Sequence, residues 1–192
     1  MSVLDELRQT TRIDHEAVEQ LVAIERPDFG VDDYAAFLSG MLAAHEPFEH
    51  GWPALSQLGL WLPDLTTRAK AALLRHDLRQ LGREPAPADT RIDTSGVYVA
   101  GEALGALYVL EGSTLGARFV LARLVPLLGD GIRGATQYLE AYGETRAQRW
   151  RTFTAALERA ASDAALRASI VTGAGRMFAR VRGLLSDAMA RD

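Results

Sequence analysis

Residues 101–119 read GEALGALYVLEGSTLGARF, and the way this stretch is read decides the fold. It forms the middle of a long helix expected from 97 to about 125, closed by Pro126 and the GDG that follows. Yet it carries Gly101, Gly105, Gly112 and Gly116, each costing about 1 kcal/mol against alanine in a helix interior. Projected at about 100° per residue, the four fall within roughly 60° of one another, on the stripe of Tyr108, Leu115 and Phe119. Something approaches that backbone closely. A neighbouring helix is one candidate, because small residues at four-residue spacing let two backbones meet; a flat ligand lying across the helix is the other. The glycines also permit a bend.

Working outward, residues 2 to 24 place Leu4, Leu7, Thr11, Val18, Leu21 and Val22 at helical spacing, and RPDFG ends that helix. A second helix is expected from about Val31 to His50, with Tyr34, Phe37, Met41, Ala44 and Phe48 on one face, stopping near Gly51 and Pro53. A shorter one spans 64 to 81. GREPAPADTRIDTSG, residues 82 to 96, is the clear loop, broken by Pro85, Pro87 and Gly96. After the glycine-bearing helix, two more are expected over roughly 131 to 160 and 163 to 190, the last contributing Ile170, Met177, Val181 and Leu184 to the core. No stretch alternates with period two and no repeat appears. The chain reads as all-α and as one domain over 1–192.

Composition narrows the function. There is no cysteine, which excludes disulfides, thiolate-held metals, iron–sulfur clusters and a cysteine nucleophile. The net charge of −4, with no concentrated basic surface, argues against nucleic acid. No apolar run approaches the roughly 20 residues that span a bilayer, and MSVLDELRQT lacks the marks of a secretory signal. A cytoplasmic location is the expectation. Lys70 is the only lysine among 21 basic residues, so the mere choice of arginine at a position says little about its role.

His15 is the second candidate site. Measured from it, the apolar residues of the first helix lie at roughly −120° to −20°, while Arg8, Arg12 and Glu19 lie at roughly +20° to +60°. His15 therefore sits on the seam. One reading is a half-buried histidine with an ordinary carboxylate neighbour one turn on. The other is a metal ligand whose second ring nitrogen Glu19 holds, directly or through water. An apolar strip with a ligand at its border and two cations beyond it matches a planar molecule bearing a central metal and carboxylates on one edge. Haem has that shape: its iron takes an axial histidine in many proteins, and its propionates pair with arginines.

Elsewhere the histidines make no site. HEPFEH, residues 45–50, lacks zinc-type spacing and reads as a polar helix end, and His76 reads as solvated. Glu111 projects roughly 100° from Gly112 and is expected to bond a neighbouring helix or an arginine. EGSTLG lacks the strand–turn–helix setting of a hydrolase elbow.

With TRIDHEAVE at 11–19 and ALYVLEGSTLGARF at 106–119, the sequence resembles the bacterial haem oxygenases, over nearly the whole chain in length and helix order. YVLEGSTLGA looks especially like the branch of phytochrome-associated and pseudomonad enzymes. The resemblance implies a single-domain helical bundle with haem between the first, proximal helix and a glycine-rich, kinked distal helix. It implies His15 as the iron ligand and Glu19 as its support. Gly112 and Gly116 become the distal glycines whose backbone lies over the haem, with Tyr108 on the same face. Arg8 and Arg12, and Arg151 in RWRTF, match basic positions near the propionates. Where the best-known members carry an aspartate after the first distal glycine, this chain has Ser113, which can hold water but brings no charge.

The family's chemistry, carried over, makes haem both cofactor and substrate. Oxygen and reducing equivalents convert it to biliverdin, by family default the IX-alpha isomer, with release of iron and carbon monoxide. The implied partners are a reductase or ferredoxin-type donor and a bilin acceptor such as a bacterial phytochrome. Ser113 keeps a non-catalytic haem carrier or sensor in play as the alternative. Thiaminase-like relatives rely on a cysteine and di-iron relatives on several inward carboxylates and histidines, neither of which suits this chain. A plain helical interaction module explains the core but not the aligned glycines.

Overall fold

A computed structural model describes residues 1–52, 56–86 and 99–190. Seven α-helices follow one another: α1 (Val3–Val22), α2 (Val31–His50), the short α3 (Leu58–Trp61), α4 (Ala71–Gln80), α5 (Ala100–Leu128), α6 (Arg146–Ala160) and α7 (Ala164–Met189). No strand occurs among the described residues. The apolar periodicities reach their expected destinations. Leu7 and Thr11 of α1, Tyr34, Met41, Ala44 and Phe48 of α2, and Ile170, Met177 and Val181 of α7 are all buried.

The starts of α1 and α7 are chemically marked. Ser2 accepts a hydrogen bond from the Asp5 amide, and the Asp163 carboxylate accepts from the amides of Ala165 and Leu166, so both helices begin on side-chain caps. α7 is the central element, packing against α5, α1 and α2. Its crossings are made by glycine. A β-carbon on Gly101 would stand 2.6 Å from the Ser169 β-carbon, one on Gly105 would overlap the Ile170 carbonyl, and one on Gly173 would overlap the backbone of Glu102. Gly40 of α2 meets Leu185 in the same manner. Two of the four aligned glycines in α5 are therefore explained by a second backbone in contact with the first.

Three boundaries differ from the sequence expectation. The helix expected over 64–81 is broken: a 3-10 turn (Leu65–Arg68) gives way to extended backbone at Ala69 before α4 begins. The cause is Glu49 at the end of α2, whose carboxylate accepts from the amides of Lys70, at 2.8 Å, and Ala71, at 3.1 Å. An anion at the new helix start replaces the turn that would have continued it. Residues 131–160 likewise do not form one helix; a 3-10 turn (Gly129–Ile132) is followed by turns over 133–142, and α6 starts only at Arg146. Asp77 accepts from the Gln137 and Tyr138 amides, Tyr34 donates to the Ala135 carbonyl, and Arg146 donates to the carbonyls of Leu139 and Ala141. Side chains from three elements thus satisfy backbone groups that a helix would have paired internally.

Thirdly, Pro126 does not close α5, which runs on to Leu128. A proline in the last turn forfeits one amide donor, a smaller loss than in the middle of a helix. The loop expected at 82–96 is irregular where described, through Ala86; Pro87 and Gly96, with Pro53 near the end of α2, lie outside the described residues.

Candidate active site

Beyond Gly105, at Gly112 and Gly116, no α7 atom stands against the glycine face of α5, and a cavity of about 1320 Å³ opens between α5 and α1, reaching Phe178 and Val181 of α7. Its size exceeds the roughly 300–1,000 Å³ of ordinary small-molecule pockets. His15 lines it from α1, with 61% of its side chain exposed. The ring stands edge-on to Phe178 at 6.2 Å between centroids, and Nδ1 lies 3.6 Å from the Glu19 carboxylate. Glu19 thus sits beside one ring nitrogen without a close bond to it.

The α5 wall is made by the other two glycines. A β-carbon at Gly116 would meet nothing within 4 Å, and one at Gly112 would meet only the rim of Trp150, at 3.9 Å. These positions have no neighbouring helix to explain them; their bare backbone faces the cavity. Ser113 lines it too. Its hydroxyl donates to the Leu110 carbonyl at 2.7 Å, so its contact with the Tyr138 hydroxyl at 3.0 Å has Tyr138 as donor. Burial raises the Tyr138 pKa well above the ordinary phenol value, which keeps that proton in place. One lone pair of Ser113 remains for a bound group.

At one end of the cavity stand Arg8, Arg12 and Tyr108. Burial raises the pKa of the half-buried Tyr108, and the nearby Arg8 charge opposes that shift. Among the described residues the two arginines pair within their own helix, Arg8 with Asp5 at 3.5 Å and Arg12 with Glu16 at 2.7 Å, all exposed. Such pairs are worth little, which leaves both guanidiniums available to an anionic ligand. At the other end lie Glu25, Arg26 and Arg123.

Behind α5, on the side away from the cavity, Glu111 is buried with two cations. Its carboxylate accepts from Arg68 at 2.7 Å, from Lys70, and from the Tyr142 hydroxyl at 2.7 Å. Arg68 is also held by Asp64, and Lys70 bonds the Tyr142 hydroxyl at 3.0 Å. Burial draws the Lys70 pKa down, and Glu111 opposes it by favouring the charged form. The only lysine of the chain is therefore a core residue. Tyr142 holds a left-handed backbone, φ 69°, fixed by these bonds. HEPFEH does end α2, with His50 exposed, but His45 is buried, its Nδ1 3.1 Å from Glu49, its Nε2 unpartnered among the described residues and its ring edge-on to Tyr138. Desolvation lowers the His45 pKa, so the ring is held neutral.

The family model described as heme oxygenase matches residues 1–187. The chain belongs to the haem oxygenase family. It is similar to the heme oxygenase PigA of Pseudomonas aeruginosa, 34% identical over 155 residues, covering 79% of this chain and 75% of that protein. It is also similar to a heme oxygenase of Xanthomonas campestris pv. campestris, 38% identical over 135 residues, 68% of this chain and 78% of that one. The fold superposes on the crystal structure of the NO- and CO-bound heme oxygenase from Neisseria meningitidis with a TM-score of 0.82 at 26% identity, over all of this chain and 95% of that one. A heme oxygenase from Leptospira interrogans shares the fold, with a TM-score of 0.75 at 16% identity over 97% and 100% of the two chains. This haem oxygenase accordingly cleaves haem oxidatively to biliverdin, with haem as its substrate. No helix among the described residues is long and apolar enough to cross a membrane.

Of the residues singled out from the sequence of this haem oxygenase, Arg8, Arg12, His15, Glu19, Tyr108, Gly112, Ser113 and Gly116 all line one cavity. Arg151 is not among the lining residues; it is exposed on α6, and its neighbour Trp150 lines the cavity instead. Adjacent helical residues diverge by about 100°, so the RWRTF motif turns Trp150, and not Arg151, toward this cavity. Sequence reasoning also missed Met41 and Phe178, which look like ordinary core positions, and Tyr138, hidden in a segment expected to be helical.

Proposed function

We propose that His15 is the axial ligand of the haem iron, that Gly112 and Gly116 form the bare wall over the opposite haem face, and that Arg8, Arg12 and Tyr108 receive the propionates. The observation that carries this reading is the contrast among the α5 glycines: Gly101 and Gly105 are filled by α7, whereas Gly112 and Gly116 open on the cavity that His15 lines. A large, partly apolar cleft with one histidine and cations at its rim fits a planar anionic metal complex. Arg151, away from this cleft, is proposed only as a second-rank contributor to the surrounding positive charge.

When bound, haem supplies the redox chemistry and is also the ring that is cleaved. The chain's own part is placement and proton supply. Glu19, 3.6 Å from the Nδ1 of His15, is placed to hold that nitrogen, directly or through water, and leaves Nε2 to ligate. Gly112 and Gly116 leave space on the distal side while excluding bulk water with backbone. Ser113, anchored by the Leu110 carbonyl and by Tyr138, holds water by hydrogen bonding where the better-known members use a carboxylate. By family default the product is the IX-alpha isomer. The reaction consumes O2 and electrons from a reductase or ferredoxin-type donor in the cytoplasm and delivers its product to a bilin acceptor such as a bacterial phytochrome.

The test is a visible spectrum of the haemin-loaded protein in air with ascorbate, catalase being present to remove peroxide. Loss of the Soret band with growth of a broad red biliverdin absorption is expected; a Soret band that persists, with a protein reductase as well, overturns the reading. His15→Ala should lose the histidine-ligated spectrum, and an unchanged spectrum would remove His15 from this role.

A further inference from the structure

The side chain of His15 can turn about its Cβ–Cγ bond, a torsion with broad preferences in histidine, so the plane of the ring is set by what it touches. Two neighbours stand beside it. The Glu19 carboxylate lies 3.6 Å from Nδ1, beyond the roughly 2.7–3.2 Å of a hydrogen bond, and its side chain is 67% exposed. An open carboxylate at that distance, free in its own torsions, does not fix a plane. Phe178 of α7 is the other neighbour, and it is 7% exposed. Its ring stands 71° from the imidazole plane at 6.2 Å between centroids, inside the range of about 4.5–7 Å over which aromatic pairs hold an edge-to-face arrangement. Phe178 is itself held in place. Ala174, one turn before it, and Met177 and Val181 beside it are all buried. Two ion pairs then pin α1 to α7: Arg167 with Glu6 at 2.7 Å, and Arg182 with Asp14, the residue before His15, at 3.6 Å.

We propose that Phe178 is a positioning residue for His15: its ring fixes the plane of the imidazole and, through it, the direction in which the axial ligand is presented to the iron. The inference rests on the reading that His15 is that ligand. It divides the support of the histidine in two. Glu19 acts at Nδ1, and so on the basicity of the ring; Phe178 acts on its orientation. An axial imidazole kept in one plane overlaps the iron along one direction within the macrocycle, which makes the four quadrants of the haem electronically unequal. A ring free to turn averages them. α7, the helix on which the bundle is organised, thus also sets the attitude of the iron ligand carried by α1.

The experiment compares the full chain with Phe178→Leu, which removes the ring, Phe178→Tyr, which keeps it, and Glu19→Gln. In the haem-free protein the His15 ring protons, identified in proton NMR by their absence from His15→Gln, are displaced by the ring current of Phe178. They should return towards free-histidine positions in Phe178→Leu and stay near those of the parent in Phe178→Tyr. In the haem complexes with cyanide, which do not turn over, the spread of the four haem methyl resonances records the imidazole plane. That spread should narrow in Phe178→Leu and persist in Phe178→Tyr and Glu19→Gln. Haem transfer to apomyoglobin should be about two- to ten-fold faster from Phe178→Leu, the worth of one edge-to-face pair. His15 ring protons that do not move in haem-free Phe178→Leu overturn the proposal, whether or not that variant holds haem. An unchanged methyl spread with His15 still bound does so too, as does an equal narrowing in Glu19→Gln. The underlying reading is tested apart. His15→Ala with the parent's haem spectrum removes His15 as the ligand, whereas a spectrum lost in His15→Ala beside an indifferent Phe178→Leu keeps the ligand and overturns only the positioning role.

Discussion

Gly105 and Gly116 face the same way around α5 yet answer to different neighbours, and substitution separates their roles. Gly105→Ala forces a β-carbon into the Ile170 carbonyl and should cost about 1–3 kcal/mol or more, as overpacking does. A urea titration of the haem-free protein will show it as a lowered midpoint. Gly116→Leu meets open space, so its urea midpoint should stay near that of the parent while haem titration shows binding lost, because the leucine fills the cleft. Equal stability losses at the two positions would refute this division. The sequence showed that four glycines shared a stripe; which neighbour each one met depended on where α7 diverges from α5. Likewise the seam position of His15 was legible from helical projection, whereas its partner Phe178 lies on a helix distant in sequence.

Elements here are cut and joined by buried charge. Glu49 caps α4, Asp77 holds the turns over 133–142, and Glu111 ties α5 to the chain before α4. Removing the Glu111 carboxylate leaves Arg68 and Lys70 buried without their common partner. Glu111→Ala should therefore destabilise by about 3–5 kcal/mol, measured by urea unfolding. His45 gives the fold a pH dependence of definite sign. Burial lowers its folded-state pKa below the ordinary 6.5, so the unfolded chain binds the proton that the folded chain refuses. Its contribution to stability is complete above pH 6.5 and is lost as the pH falls below it. The fall in urea midpoint from pH 7 to pH 5 should be shallower in His45→Gln, whose amide can still donate to Glu49. These contacts explain the missed helix boundaries: local periodicity carried the helix through Ala69 and over 133–142, and the side chains that overrule it come from residues remote in the chain.

The whole molecule is a bundle organised on α7, with one side left open between α1 and α5. The helical class and the order of the long helices were legible because apolar spacing is a local property, and the motif around Gly112 carried the family. The buried lysine and the two-ended charge of the cavity were not legible, since each depends on which helices become neighbours. An open cleft lined by apolar side chains is a cost to the empty protein that the ligand removes. Haem held at about 100 times its dissociation constant should add about 2.7 kcal/mol of stability, seen as a concentration-dependent rise in melting temperature. His15→Ala should reduce that rise.

The unequal treatment of the two halves of α5 has a mechanical meaning. Along Gly101–Gly105, against Gly173, backbone lies on backbone with no side chain able to rotate out of the way, and such a joint is stiff. Along Gly112–Gly116 the same face of the helix opens on the cavity, with only the rim of Trp150 near Gly112. α5 is in effect a beam clamped at one end and clear along one face beyond it, while its opposite face stays held by Glu111, Thr114, Ala117 and Leu124 in the core, so a macrocycle is admitted and a product of different shape let out along the clear face. The anchorage, and the hydrophobic core built around it, need not move with each turnover.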